Sequence, residues 1–338
     1  MIELAKQTSD KTVVVINAAN AFELGDLQDD PEIDVIVWAI PGGQVGFNAL
    51  GRILDGEVNP SSETPDTFAR DIKSGPAANN FGDFQYTSMT EFAQEDPFNK
   101  GTQTQPSFVN YNDSIYVGYR WYETAAAEGV IDYASEVVYP FGFGLSYTTF
   151  SQSMGDISVD EATGTMSADV TVTNTGQVAG KDVVQIYDNP PYTDGGIEKS
   201  AANLLTYNKT NLLEPGETQT ITVTWNRDSL ASYDAKDAKA YVLEAGDYKI
   251  SARANSHELR DERRLQSKLR RHVQLRRFGR RRCKHRDDAD HGSQQRPRPG
   301  RPGGAGLRRS EVGPAHRQGH EHPHLQGRIR LPGDLLGG

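Results

Sequence analysis

The chain has 338 residues, a formal net charge of −10 and one cysteine, Cys283, which excludes a disulfide within the chain. The charge divides sharply, because residues 1–258 hold 15 Lys and Arg against 38 Asp and Glu, whereas residues 259–338 hold 21 against 8. The acidic part disfavours nucleic acid and anionic membranes as partners, and no apolar run approaches the ~20 residues that span a bilayer. No signal-peptide pattern is visible at the start, so we expect a cytoplasmic location; the oligomeric state is left open.

Two short, β-branched apolar runs come first, at residues 12–18 and 34–40. Such runs predict strands buried on both faces, as in a parallel sheet. A helical pattern follows, with its apolar positions on one side and Gly56 at its end; these positions are Phe47, Leu50, Ile53 and Leu54. Two strands are fewer than a parallel sheet needs, so residues 1–70 are predicted to be part of a larger, doubly wound α/β domain.

Residues 71–150 are predicted to be a long loop followed by an aromatic segment between domains. Residues 71–110 are polar and broken by Gly, Pro and Asn, which indicates either a functional surface loop or an insertion without a role. Residues 137–150 are rich in aromatics and contain Gly142 and Gly144, where the backbone can lie close against another surface. We expect this segment to pack between two domains.

From residue 151 to residue 257 the hydrophobic period becomes two. Several alternating runs are separated by turn sequences such as Pro215-Gly216 and Ala245-Gly246. Short alternating strands over roughly 100 residues indicate an antiparallel β-sandwich. The predicted fold class is therefore α/β plus all-β.

Four segments together resemble the C-terminal half of glycoside hydrolase family 3: residues 48–50, 56–61, 115–123 and 137–150. The resemblance runs in order from about Leu4 to His257. It implies that residues 1–70 are part of an α/β sandwich domain with a parallel sheet, and that a fibronectin type III-like domain lies where the β-sandwich is predicted. It also implies a retaining β-glucosidase-type enzyme that removes terminal β-linked sugars in carbohydrate metabolism, without a metal or organic cofactor.

The resemblance supplies no catalytic residue in this chain. The family's nucleophile is an aspartate, typically followed by Trp, on a (β/α)8 barrel, and its acid/base in many members is a glutamate in a Gly-Glu-Gly stretch. Neither the Asp-Trp pair nor the Gly-Glu-Gly stretch occurs in this chain. We therefore expect the glycoside substrate to bind through a barrel absent from this chain, and the chain alone to be inactive. Whether that barrel precedes or follows this segment is left open.

Two features invite a ligand-binding interpretation beside a structural one. Arg120, among several aromatics, is the one candidate substrate-binding residue, since it could stack on a sugar ring; the alternative is an aromatic anchor between domains. The turn at 41–43 could bind an anion at a helix start, but tight turn geometry explains it equally. The family often has Pro-Ser-Gly followed by Arg or Lys at the next turn. In this chain Ser62 stands at the position of that glycine and Glu63 at the position of the basic residue.

A competing class is a non-catalytic carbohydrate-binding or interaction module built on the β-sandwich. It would need a stripe of exposed aromatics on one sheet face. Trp225, Tyr187 and Tyr248 are the candidates, and each also fits a buried position of the alternating pattern.

Residues 258–338 are predicted to be a disordered basic tail. Their 19 Arg and 2 Lys, with Gly, Pro and His, are typical of a GC-rich coding strand translated out of frame, so a frameshift product is the preferred interpretation. A basic arm for nucleic acid is a weaker alternative, because no Tyr or Trp is present for base stacking. A metal site is weaker still, since its candidates lack paired spacing. Those candidates are Cys283, His285, His316, His320, His322 and His324.

Overall fold

The structure is a computed structural model and describes residues 1–80, 84–86, 88–109, 111–268 and 271–273. Its helices are α1 (Ile2–Thr8), α2 (Gly25–Gln28), α3 (Phe47–Leu54), α4 (Tyr119–Ala127) and α5 (Tyr133–Glu136), with short 3₁₀-helices at Pro76–Asn80, Thr90–Phe92 and Arg227–Leu230. The first strands are β1 (Val13–Asn17), β2 (Val35–Ala39), β3 (Phe68–Ala69), β4 (Gln94–Glu95), β5 (Gln103–Thr104) and β6 (Val137–Tyr139). The remaining strands are β7 (Phe150–Met154), β8 (Ser158–Val159), β9 (Thr165–Asn174), β10 (Val183–Asn189), β11 (Asn203–Lys209), β12 (Thr218–Asn226), β13 (Ser232–Asp234), β14 (Ala240–Leu243), β15 (Gly246–Arg253), β16 (Leu259–Ser267) and β17 (Arg271–Val273).

The first 60 residues form a thin layer with almost no core of its own. β1 and β2 pair in parallel with Val13 opposite Val35, and they form a two-stranded sheet. The prediction that both faces of these strands are buried is wrong, because Val13, Val15 and Val35 are 39–45% exposed. The physical reason is that, in the part of the chain that the structure describes, neither face of this two-stranded sheet is covered by a packed helix layer, since α1 and α3 bury none of their residues. α3 lies where the sequence predicts it, but none of its residues is buried.

An aromatic cluster follows, largely within residues 71–150, for which the sequence predicted a long loop and then an aromatic segment between domains. β3 and β6 pair antiparallel, and α4 and α5 lie between them in the chain. The buried members of the cluster are Ala69, Tyr116, Trp121, Tyr122, Ala125 and Val137. α4 escaped prediction because five consecutive residues, Trp121 to Ala125, are buried, so no amphipathic period shows. Further upstream, β4 and β5 form a small hairpin.

The antiparallel β-sandwich predicted for the second half is confirmed. One sheet has the order β11-β10-β15-β16 and the other β12-β9-β7, with β8 paired to β9. β9 and β12 bury alternate residues, as a sheet with one face against a core should. Their inward side chains meet those of the opposite sheet in the main core, which includes Met166, Val170, Val172, Val184, Ile186, Val223, Trp225 and Ile250.

The β-sandwich continues beyond residue 257, where the sequence placed its end. β16 pairs antiparallel with β15, from Gly246 opposite Ser267 to Arg253 opposite Leu259. Alternation failed to find this strand because it is an edge strand rich in charged residues, which is how natural sheets protect an open edge. β17 pairs with β14. The rest of the predicted tail lies outside the described residues.

The glycine-rich aromatic segment contacts both halves of the structure. Gly142 N–H donates to Thr64 O at 2.8 Å, and Thr64 N–H donates to Phe143 O at 2.8 Å. On the sandwich side, the Gln185 amide donates to Gly142 O at 3.0 Å. Gly142 has a φ of +79°, and a Cβ placed on it would lie 2.3 Å from Gln185 Oε1. A side chain at this position therefore meets both backbone strain and a clash.

We expect Gly142→Ala to lower the free energy of unfolding by about 3 kcal/mol, since the added methyl has to displace the buried Gln185 amide. Gly216→Ala is the matched control, because Gly216 has the same φ of +79° but no atom within 4 Å of its added Cβ. That control should cost about 1 kcal/mol. Denaturant unfolding of the two variants checks this, and equal losses would contradict the close contact.

Candidate functional site

Arg120 lies in an aromatic seam rather than alone on a surface. Its guanidinium is 5.8 Å from the centroid of the Tyr119 ring. Tyr119 stacks on Phe141 at 4.7 Å and meets Tyr187 edge-on at 6.1 Å. Because these rings come from α4, the glycine-rich segment and β10, the seam joins the two halves of the structure. The half-buried Arg120 takes part in that packing.

A buried carboxyl group lies near Arg120. Asp188, on β10, is among the most buried polar residues, and burial raises its pKa to about 7. The charge of Arg120 is the strongest influence in the opposite direction, since a nearby cation favours the ionised carboxylate. Neither Asp188 Oδ1 nor Arg120 Nε has a hydrogen-bond partner within the described parts of the chain. Arg120 thus partly neutralises the charge of Asp188 inside the packed interface.

A second, partly buried polar cluster ties α4 to the turn that follows β15. Glu123 Oε1 accepts hydrogen bonds from Tyr133 Oη and Ser256 Oγ, each at 2.8 Å, and Glu123 Oε2 lies 3.0 Å from His257 Nδ1. The His257 ring stacks on Tyr133 at 3.7 Å. Sequence analysis missed this cluster, because its members lie up to 134 positions apart and no motif connects them. Since Ser256 and His257 both bond to the carboxylate and not to one another, the cluster is not a nucleophile–base pair.

A cavity of about 170 Å³ lies beside α4. Its walls are largely apolar and include Phe22, Ile72, Trp121 and Tyr122, and Asp66 is the one carboxylate in its lining. Asp66 Oδ1 accepts a hydrogen bond from Thr67 N–H at 2.8 Å. Glycoside hydrolysis requires two carboxyl groups that flank the sugar bond. This cavity therefore does not have the groups for that reaction.

The aromatics considered for a sugar-binding stripe are buried. Trp225, Tyr187 and Tyr248 are 6%, 0% and 1% exposed, so none can stack on a sugar at the surface. Exposed rings that the sequence analysis did not single out are Tyr233 and Tyr241, which meet edge-on at 5.2 Å across β13 and β14. The three predicted candidates thus belong to the packing of the sandwich.

Within the described ranges, no group of three or more His, Cys, Asp or Glu side chains is placed to hold a metal ion. The six His and Cys candidates of the tail lie outside those ranges. No helix in the described part of the chain is long and apolar enough to cross a membrane.

An incomplete α/β layer followed by a fibronectin-like sandwich defines the class of protein, and the comparisons agree with it. Residues 1–147 match the glycosyl hydrolase family 3 C-terminal domain, and residues 182–256 match the fibronectin type III-like domain. The chain therefore belongs to glycoside hydrolase family 3 and corresponds to the C-terminal half of its members.

Named relatives are β-glucosidases. Beta-glucosidase A of Butyrivibrio fibrisolvens is 36% identical over 265 residues, which are 73% of this chain and 28% of that protein. The beta-glucosidase of Ruminococcus albus is 33% identical over 246 residues, or 72% of this chain and 22% of that protein. Beta-glucosidase 3B from Thermotoga neapolitana, solved in complex with α-D-glucose, has a TM-score of 0.63 and 30% identity, covering 81% of this chain and 33% of that one. The chain thus spans about a quarter of the length of these two curated relatives.

We expect Arg120→Met to lower the free energy of unfolding by about 2 kcal/mol, because it leaves the buried Asp188 without the cation that acts on it most strongly. Arg52→Met is the control, since Arg52 forms an exposed ion pair with Glu57 and its loss should change stability little. In an Asp188→Asn background the effect of Arg120→Met should shrink, which a double-mutant cycle measures. Independent, additive effects would contradict the pairing.

Proposed function

We propose that this chain is the non-catalytic half of a retaining β-glucosidase-type enzyme that removes terminal β-linked glucose. The names of the relatives and the order of the two matched domains support this proposal. In the whole enzyme, one carboxylic acid would protonate the leaving-group oxygen, and a second carboxylate would attack the sugar to form a covalent intermediate. The present chain would hold and orient the part that carries those groups.

The observation that carries the proposal is the exposed apolar surface of the first 60 residues. Val13, Val15 and Val35 on the sheet, and Phe47 and Leu54 on α3, are all exposed. Strands of parallel sheets are normally covered on both faces, and exposed apolar patches of this kind mark contact surfaces. A scaffold that packs against a further part of a larger enzyme would cover this surface.

The same proposal holds that the chain alone does not hydrolyse glycosides. Two carboxyl groups about 5–5.5 Å apart, with pKa values pushed in opposite directions, are needed at an open cleft. The cavity beside α4 offers Asp66 alone. The chain also has neither the Asp-Trp pair nor the Gly-Glu-Gly stretch of the family.

The purified chain is expected to show no release of 4-nitrophenol from 4-nitrophenyl β-D-glucoside above the rate of buffer. A full-length β-glucosidase assayed in parallel is the positive control, and circular dichroism confirms that the chain is folded. Hydrolysis by the chain that disappears when one of its own acids, such as Asp66, is changed to Asn would refute the proposal.

A further inference from the structure

Glu63 lies at the contact between the two halves of the structure. Its Oε2 accepts a hydrogen bond from Gln185 Nε2 on β10. The same Gln185 nitrogen donates to Gly142 O and to Ala254 O, each at 3.0 Å. Gly144 covers Glu63 from the other side, since a Cβ on Gly144 would lie 3.1 Å from Glu63 Cγ. Glu63 is therefore half-buried between the glycine-rich segment and the sandwich.

A second carboxyl group faces Glu63 from the sandwich. Asp182 immediately precedes β10, and its Oδ2 accepts a hydrogen bond from Gln152 Nε2 at 2.8 Å. The negative charge of Asp182 acts on Glu63 and disfavours its ionised form. Two carboxyl groups that share a partly buried site resist being ionised together.

The cations nearby offset this repulsion only in part. Lys209, on β11, favours ionised Glu63, but its ammonium donates a hydrogen bond to Ser61 O at 2.7 Å. Burial and the charge of Lys181 lower the pKa of Lys209. Arg260 acts on Asp182.

Burial raises the pKa of Glu63 to about 8, with Asp182 adding to the effect and Lys209 opposing it. Burial also raises the pKa of Asp182. Glu63 is thus mainly protonated in the folded chain at neutral pH, although an exposed glutamate ionises near pH 4.3.

We propose that Glu63 is a pH-sensitive clasp: through its hydrogen bond with Gln185 it fastens the turn at residues 61–64 to the β-sandwich, and the clasp loosens when Glu63 loses its proton. The clasp is closed by the Gln185 and Lys209 contacts and strained by the charge of Asp182. It is independent of the sugar chemistry, because it changes the attachment between the two halves and not a catalytic group.

The sign of the effect follows from linkage. The pKa of Glu63 is higher in the folded chain than in the unfolded chain, so the folded chain binds one more proton between these two values. The stabilisation is complete below about pH 4.5, falls as the pH rises, and is lost above about pH 8. The free energy of unfolding should therefore decrease as the pH rises from about 4.5 to about 8, and above about pH 8 it should no longer depend on Glu63.

Thermal unfolding of the full chain between pH 5 and pH 9 tests the clasp. We expect the melting temperature of the unmodified chain to fall by about 5 °C more across this range than that of Glu63→Gln, which cannot ionise. Glu57→Gln is the control, because Glu57 is exposed and pairs with Arg52, so it should keep the original slope. Identical slopes for the chain and Glu63→Gln would overturn the proposal.

A direct titration keeps the proposal falsifiable if Glu63→Gln does not fold. Carboxyl-¹³C NMR of the unmodified chain with labelled glutamate should show one glutamate that titrates near pH 8. Asp182→Asn should move that midpoint toward lower pH, since it removes the neighbouring charge. Titration of every glutamate in the ordinary range near pH 4–5 would overturn the proposal.

Discussion

The side-chain amide of Gln185 joins three segments that are far apart in the sequence. Its nitrogen lies within hydrogen-bond distance of three acceptors, Gly142 O, Ala254 O and Glu63 Oε2, which share its two N–H groups, and its oxygen accepts from Tyr187 Oη at 2.7 Å. A buried amide without partners is costly, so this position constrains every residue around it. It requires a glycine at 142 and a close approach of the turn at residues 61–64. The attachment of the first half to the sandwich depends on this set of contacts.

Burial is unequal on the two sides of that attachment. The sandwich has a continuous core from Met154 to Val273, whereas Thr12, Leu24 and Gly25 are the buried residues of the first 60. The first layer is held to the rest by specific polar and aromatic contacts rather than by a shared core. Trp38 meets Phe68 edge-on at 5.4 Å, and Arg70 pairs with Asp29 at 2.6 Å. The sandwich therefore stabilises the chain, and the first layer presents apolar surface for a further contact.

Sequence patterns predicted the strands whose buried side chains alternate regularly. They missed the elements without such alternation and the clusters whose members lie far apart in the sequence. The alternation in β9 and β12 identified the sandwich, because one face of each strand is buried. β16 was missed since its side chains are charged on an edge, and α4 because it is buried along consecutive positions. Glu123 and His257 meet across 134 positions, which no local signal reveals. Arg120 was singled out for its aromatic neighbours, but only the structure shows Asp188 beside it. The absence of the Asp-Trp and Gly-Glu-Gly motifs, in contrast, is visible in the sequence itself.

The central claim is that the first 60 residues form a layer that needs a further part of a larger enzyme to cover its apolar surface. Native-state hydrogen exchange of the full chain tests this claim most directly. The account predicts that amides of β1 and β2, such as Ile16 and Val37, exchange through local opening with protection at least about 100-fold lower than Val170 and Ile250 in the sandwich. If the amides of β1 and β2 and those of the sandwich all exchange with one opening free energy, equal to that of global unfolding, the first layer is as stable as the sandwich without any further partner. That result would contradict the account.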